Sequence, residues 1–198
     1  MADEEVFDPR GVLAALDRNY VSYVLIGGLA RVIRGTDEIT DGVDICPSVR
    51  PENLERLGEA LGELEARRAD RRRLSLDEEA LAREPVIRLR TGAGELKLVP
   101  EPAGTRRGYD DLRRAATREH IGEGLRPNVA SVADLARMSA ALAHEREIDR
   151  SRGRDSERLR ELELMRSREL RRIMEVEVGL ERTLGLEREI DRGMDIGM

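Results

Sequence analysis

Two stretches hold the residue types that chemistry on a phosphate would use. Gly27–Ser48 (GGLARVIRGTDEITDGVDICPS) opens on a Gly-Gly pair and carries Asp41 and Asp44. Gly94–Pro100 (GELKLVP) carries Glu95 and Lys97. Magnesium prefers carboxylate oxygens, and carboxylates at i and i+2 on a strand share a face and hence an ion. Asp41 and Asp44 are three apart, so on a regular strand they point to opposite faces. Glu95 and Lys97 are two apart and share one. A glycine pair before a helix lets the backbone approach a phosphate, with the helix N-terminus facing it. The ingredients are those of a phosphate and metal site, irregularly spaced.

The elements that must position these residues follow from pattern. Asp8-Pro9 opens a short helix, Gly11–Arg18, with Val12, Leu13 and Leu16 on one side. Val21–Ile26 (VSYVLI) reads as a buried strand that Gly27-Gly28 stops. Leu29–Arg34 reads as a short helix closed by Gly35, and Val43–Cys46 as a strand ended by Pro47. Pro51 starts an amphipathic helix, Glu52–Arg68, whose Leu54, Leu57, Leu61 and Leu64 recur at core-facing intervals. Pro85–Arg90 and Glu95–Val99 flank a glycine-containing turn and form a hairpin. Asp110–Glu119 and Ser131–Ala143 are expected helices, the second capped by Ser131. The fold class is therefore α/β (α+β): a small mixed sheet flanked by helices over residues 1–145.

Residues 146–198 change character, being almost wholly Arg, Glu, Leu, Ile, Val and Met. Leu159, Leu162, Ile173, Val176, Leu180 and Leu184 have roughly helical spacing, so this tail reads as amphipathic helices. Gly179 and Gly185 favour a break, each costing about 1 kcal/mol inside a helix. Such helices either pack on the domain or form a seam for a second copy or a protein partner.

Composition narrows the classes. Charged residues make up 38% and aromatics 2% of 198, so the core must come from Leu, Val, Ile and Ala. Net charge is −6, yet Lys97 is the only lysine among 35 basic residues. The arginine bias fits a GC-rich genome. Binding of nucleic acid depends on a local basic patch rather than on net charge; Arg67–Arg73 (RRADRRR) is one candidate, or a solvated helix end. Cys46 is the sole cysteine, which excludes a disulfide framework and a cysteine zinc site. No apolar run approaches the ~20 residues of a membrane span. The N-terminal MADEEVFDPR has no signal-peptide character. The expectation is a cytoplasmic, bacterial protein with no membrane association. His120 and His144 have no partner at metal or triad spacing.

The ordered set Gly27, Gly28, Ala30, Gly35, Thr40, Val43 and Asp44 resembles the nucleotidyltransferase superfamily with the DNA polymerase β-like fold. The closest branch is similar to the AbiEii-like and MenT-like toxins of toxin–antitoxin systems. GELKLVPEPAGTRRGYDDLRRAA resembles the third strand of that family with its following loop and helix, and VASVADLARM the helical segment after it. The resemblance spans roughly residues 10–145. It implies transfer of a nucleotide from an NTP to RNA, with tRNA the expected acceptor, Mg2+ as cofactor and a cognate antitoxin as partner. It implies roles for Gly27, Gly28, Arg31 and Thr40 at the nucleotide and for Asp44 at the metal.

The sequence departs from the family where the metals would sit. The family reads Thr–x–Asp–Val–Asp; here Thr40-Asp41-Gly42-Val43-Asp44 puts glycine in the first aspartate's place. A bulge at Gly42 would swing Asp41 inward. The third carboxylate falls at Lys97, with Glu95 on the same face, and Glu38 stands where the family often has Arg. The candidate site is thus Asp44, Lys97 and Asp41 for catalysis, with Asp44, Asp41 and Glu95 for metal and Lys97 for phosphate. Two functions stay open: a transferase with an altered site, and a binding module that keeps the fold without the transfer.

Overall fold

The computed structural model describes residues 7–122 and 124–150. The chain divides into two units, Met1–His144 and Glu145–Met198. Of the second, only 145–150 are described, and they are helical. The expected tail helices, with Leu159 through Leu184, lie outside the described residues.

The first unit begins with α1 (Pro9–Arg18), whose N-cap Asp8 accepts from the Arg10 and Gly11 amides. Strand β1 (Tyr23–Ile26) runs directly into α2 (Gly27–Ile33). The helix starts at Gly27 itself rather than after the glycine pair, because Gly27 takes φ +70 and turns the chain in one residue. β2 (Gly42–Pro47) follows, then α3 (Pro51–Glu63). The amphipathic helix expected to reach Arg68 stops five residues short. Glu65 adopts φ 50, and Arg67–Arg68 becomes the edge strand β3. Pairing with a sheet edge wins over helical periodicity there.

A short helix the sequence pattern does not signal, α4 (Glu78–Arg83), is capped by Asp77. β4 (Ile87–Thr91) and β5 (Gly94–Leu98) form the expected hairpin, closed by Gly92-Ala93. The expected helix Asp110–Glu119 shrinks to α5 (Tyr109–Leu112), and Thr117–Arg118 forms β6. β7 (Asn128–Val129) then pairs with both β6 and β1. Residues 132–144 close the unit as α6, where Ser131 Oγ accepts from the Asp134 amide.

The seven strands lie in the order β3-β4-β5-β2-β1-β7-β6. β1–β2 and β4–β5 are antiparallel and β2–β5 is parallel, so the sheet is mixed. Burial alternates along β4, with Ile87, Leu89 and Thr91 inside and Arg88 and Arg90 outside. β5 repeats this, with Gly94, Leu96 and Leu98 inside and Glu95 and Lys97 half-buried. One face of this half of the sheet therefore joins the core, while the other stays open. The core side carries Val43, Ile45, Leu89, Leu96 and Leu98, packed with Val12 and Leu16 of α1 and Leu57 of α3. Among the described residues no helix is long and apolar enough to cross a membrane.

Candidate active site

The site grows from one register. Asp44 on β2 lies directly beside Lys97 on β5, and Gly42 lies beside Glu95. On the other side of β2, Asp44 faces Ile26, the last residue before the Gly27 turn. Residues paired across strands point to the same side of a sheet. Asp44, Lys97 and Glu95 therefore converge on the open face, at the mouth of the β1–α2 turn.

Gly27 is required there by space. A Cβ on it would lie 2.0 Å from Asp44 Oδ2 and 2.7 Å from Asp44 Cβ, in a backbone conformation that L side chains rarely adopt. The aspartate is thus seated against the Gly27 backbone. Gly28 is shaped in the same way by Thr40: a Cβ there would meet Thr40 Oγ1 at 2.9 Å. Thr40 Oγ1 donates to the Gly42 carbonyl. In this arrangement Thr40 braces the glycine pair against the start of β2.

Lys97 Nζ lies 3.6 Å from Asp44 Oδ1 and 3.5 Å from Glu95 Oε2. Arg88 Nη1 reaches Glu95 Oε1 at 3.5 Å, extending the chain of charges to β4. These are ion pairs longer than hydrogen bonds, and Asp44 Oδ1 is buried with no hydrogen-bond donor. Burial raises the Asp44 carboxyl above its ordinary value; Lys97 opposes the shift, Glu95 adds to it and Arg31 opposes it. Removal from water disfavours the charged form more than a cation at this distance restores it.

The structure does not bring Asp41 into this cluster. The register from Gly42 to Ile45 against β5 runs without a skipped residue, so there is no bulge. Asp41 precedes the strand and is exposed. A Cβ on Gly42 would stand 3.2 Å from the Glu95 carbonyl oxygen. Gly42 thus lets β5 come close rather than bending β2.

Arg31 lies near the turn but forks onto Glu38, with Nε 2.8 Å from Oε1 and Nη2 2.9 Å from Oε2. That pair holds the Glu38 carboxyl below its ordinary value. Arg34 is a clamp. It donates to the Ala130 and Val129 carbonyls and Thr117 Oγ1, and pairs with Glu119. Cys46 is fully buried, and burial pushes its thiol up to about 12. Asp111 accepts from the Arg106 and Arg107 amides and so organises the loop before α5. His120 and His144 are exposed.

A pair of magnesium ions does not fit this donor set. Among the described residues no three His, Cys, Asp or Glu side chains stand together as ligands. The two carboxylates that do meet share the Lys97 ammonium. At ~4 Å and an effective dielectric near 20, unit charges interact by about 4 kcal/mol, so Lys97 competes directly with any cation for Asp44.

Arg88 joins this network although no motif marks it. A two-residue turn at Gly92-Ala93 pairs 91 with 94 and hence 88 with 97, so counting along the hairpin finds it. The Arg31–Glu38 fork and the Arg34 clamp carry no comparable signal, because their partners come from loops and distant strands.

No protein-family model and no curated protein matches the sequence. The fold is similar to that of a Thermotoga maritima protein, TM1012, described as a candidate nucleotidyltransferase. The TM-score is 0.54 at 15% identity, over 77% of this chain and 96% of that one. A solution structure of the antibiotic-resistance factor ANT(2'')-Ia also matches, with TM-score 0.41 at 17% identity over 64% of each chain. The chain has a nucleotidyltransferase-like fold.

Proposed function

We propose that the chain binds an NTP on the open face of its sheet and transfers the nucleotide to an RNA acceptor. The observation that carries this reading is the Asp44–Lys97 register pair, set on adjoining strands at the mouth of a glycine turn. The Gly27-Gly28 backbone approaches the phosphates, and Lys97 offsets their charge. The acceptor hydroxyl attacks the α-phosphorus in line. A new oxygen–phosphorus bond forms, and the bond to the pyrophosphate oxygen breaks with its electron pair leaving on pyrophosphate. The hydroxyl proton passes to the Asp44 carboxylate, whose side chain is about one-fifth exposed on this face. No step is assigned to magnesium. The acceptor as tRNA, a toxin–antitoxin or defence setting and a cognate antitoxin rest on the residue resemblance of Gly27 through Asp44.

A second reading is favoured by one observation, the ammonium shared by Asp44 and Glu95 with no third ligand among the described residues. In that reading the site binds a nucleotide or protein partner without transferring anything. One assay separates the two: purified protein, each α-labelled NTP, total tRNA, and magnesium, manganese or a chelator. The expected result is label on RNA that falls by about 10²–10⁴ in Asp44→Asn, the range for loss of a positioned base. No transfer under any condition, with labelled nucleotide still bound to folded protein, would establish the second reading instead.

A further inference from the structure

The open face does not end at Lys97. Strand order continues from β5 to β4 and to the edge strand β3. In register, Arg88 lies beside Lys97, Arg90 beside Glu95, and Arg67 beside Arg90. All three arginines are exposed and on the side of the sheet that bears Asp44. With strands spaced by ~4.8 Å, this cationic row runs roughly 14 Å from β3 to Asp44. Among the described residues it is open at its outer end, because β3 is the sheet edge.

The Arg67–Arg90 pair is the informative part. Like charges directly opposite on neighbouring strands destabilise a sheet. In a chain with 41 acidic residues, neither of these arginines has a carboxylate partner among the described residues. The nearby acids are committed elsewhere: Asp70 and Glu84 both pair with Arg68 and with Arg72. Beside Arg67 lies a cleft of about 350 Å³, also lined by Arg71 and Arg72. Arg88 is pulled onto Glu95, so the surplus charge is that of Arg67 and Arg90; such guanidinium groups are stabilised by an extended anion, and their forks suit phosphate. The described aromatic residues, Phe7, Tyr20, Tyr23 and Tyr109, all lie outside these strands, so the face offers no ring on which a base could stack.

We infer that the open face of β3, β4 and β5 binds the phosphodiester backbone of a nucleic-acid strand through Arg67, Arg88 and Arg90 and leads it to Asp44. The inference rests on the transfer reading only for the purpose of that strand, which is to serve as acceptor. Readout is through phosphate and is therefore indifferent to sequence.

The test is fluorescence anisotropy with the full chain, without NTP, using a short fluorescein-labelled RNA and the single-stranded DNA of the same sequence. Three phosphate contacts on a single strand predict a loss of about 20-fold in affinity between about 50 and about 200 mM salt. Arg67→Ala with Arg90→Ala should reduce that loss to about threefold and weaken binding at low salt. The far-UV circular dichroism of the double variant should match that of the native chain, which shows it folded. Arg126→Ala, an exposed arginine beyond this face, should bind as the native chain does. No RNA binding, native binding by the double variant, an equal loss in Arg126→Ala, or a strict preference for RNA over DNA would each overturn the inference. Because the binding measurement contains no NTP, its outcome does not depend on whether the chain transfers a nucleotide.

Discussion

At the scale of single residues, the contact between Gly27 and Asp44 has two consequences. Gly27→Ala places a methyl group 2.0 Å from Asp44 Oδ2 at a positive φ. It should cost about 1–3 kcal/mol in urea unfolding and displace the carboxylate. Asp44→Asn should have the opposite effect on stability. It removes a charge whose Oδ1 has no hydrogen-bond donor, for a gain of about 1 kcal/mol and a Tm higher by a few degrees. The sign of the pH dependence follows from the raised Asp44 pKa. The folded chain holds this proton to higher pH than the unfolded chain does. Stability therefore falls as pH rises from the ordinary aspartate value through the raised one. Thermal unfolding of Asp44→Asn across that interval should show this component gone. A variant as stable as the native chain, with the same slope, would mean that Asp44 is better compensated than its surroundings indicate.

At the scale of elements, α2 is short and begins without a side-chain cap, so Arg34 at its end fastens it to β6 and β7. Arg34→Ala should cost about 2–3 kcal/mol in chemical denaturation, the range for hydrogen bonds to a charged group. Arg34→Lys should not restore it, since an ammonium lacks the planar fork that reaches both carbonyls. Unchanged stability in either variant would remove Arg34 from the frame of the site. The parts of the fold legible in the sequence are those governed by local rules. Leu54, Leu57 and Leu61 mark α3, Gly92-Ala93 marks the hairpin, and Ser131 marks α6. The parts that are not legible depend on distant partners. Thr117–Arg118 reads as helix until β7 pairs with it, and Arg67–Arg68 does so until β4 does. At the site, Asp44, Lys97 and Glu95 are legible as types and spacing. Their junction is not, because it depends on β2 and β5 lying side by side across fifty residues of chain. Asp41 fails for a related reason: a glycine in a strand signals either a bulge or a close neighbour, and at Gly42 it is the neighbour, β5.

At the scale of the whole molecule, the carboxylates with shifted pKa values among the described residues fall into two kinds, those whose pKa is lowered and Asp44, whose pKa is raised. Glu63, Asp70, Glu84, Asp111 and Glu119 all have lowered pKa values, from hydrogen bonds to arginine side chains, to backbone amides or, at Glu119, to Thr117 first. Their contribution is present above the ordinary carboxylate values and is lost as pH falls through the lowered ones. The native chain should therefore lose stability on acidification below about pH 4, measured as Tm against pH. Asp44, with its raised value, works in the other direction. On the open face Arg67, Arg88, Arg90 and Lys97 outnumber the two carboxylates Asp44 and Glu95. That concentration has a practical consequence at Lys97, the chain's only lysine, which is about one-fifth exposed beside Asp44. Apart from the amino terminus, an amine-selective label has a single place to attach, and that place is the candidate site. One adduct, counted by mass spectrometry and shielded by whichever ligand fills the face, would make this residue a built-in occupancy meter.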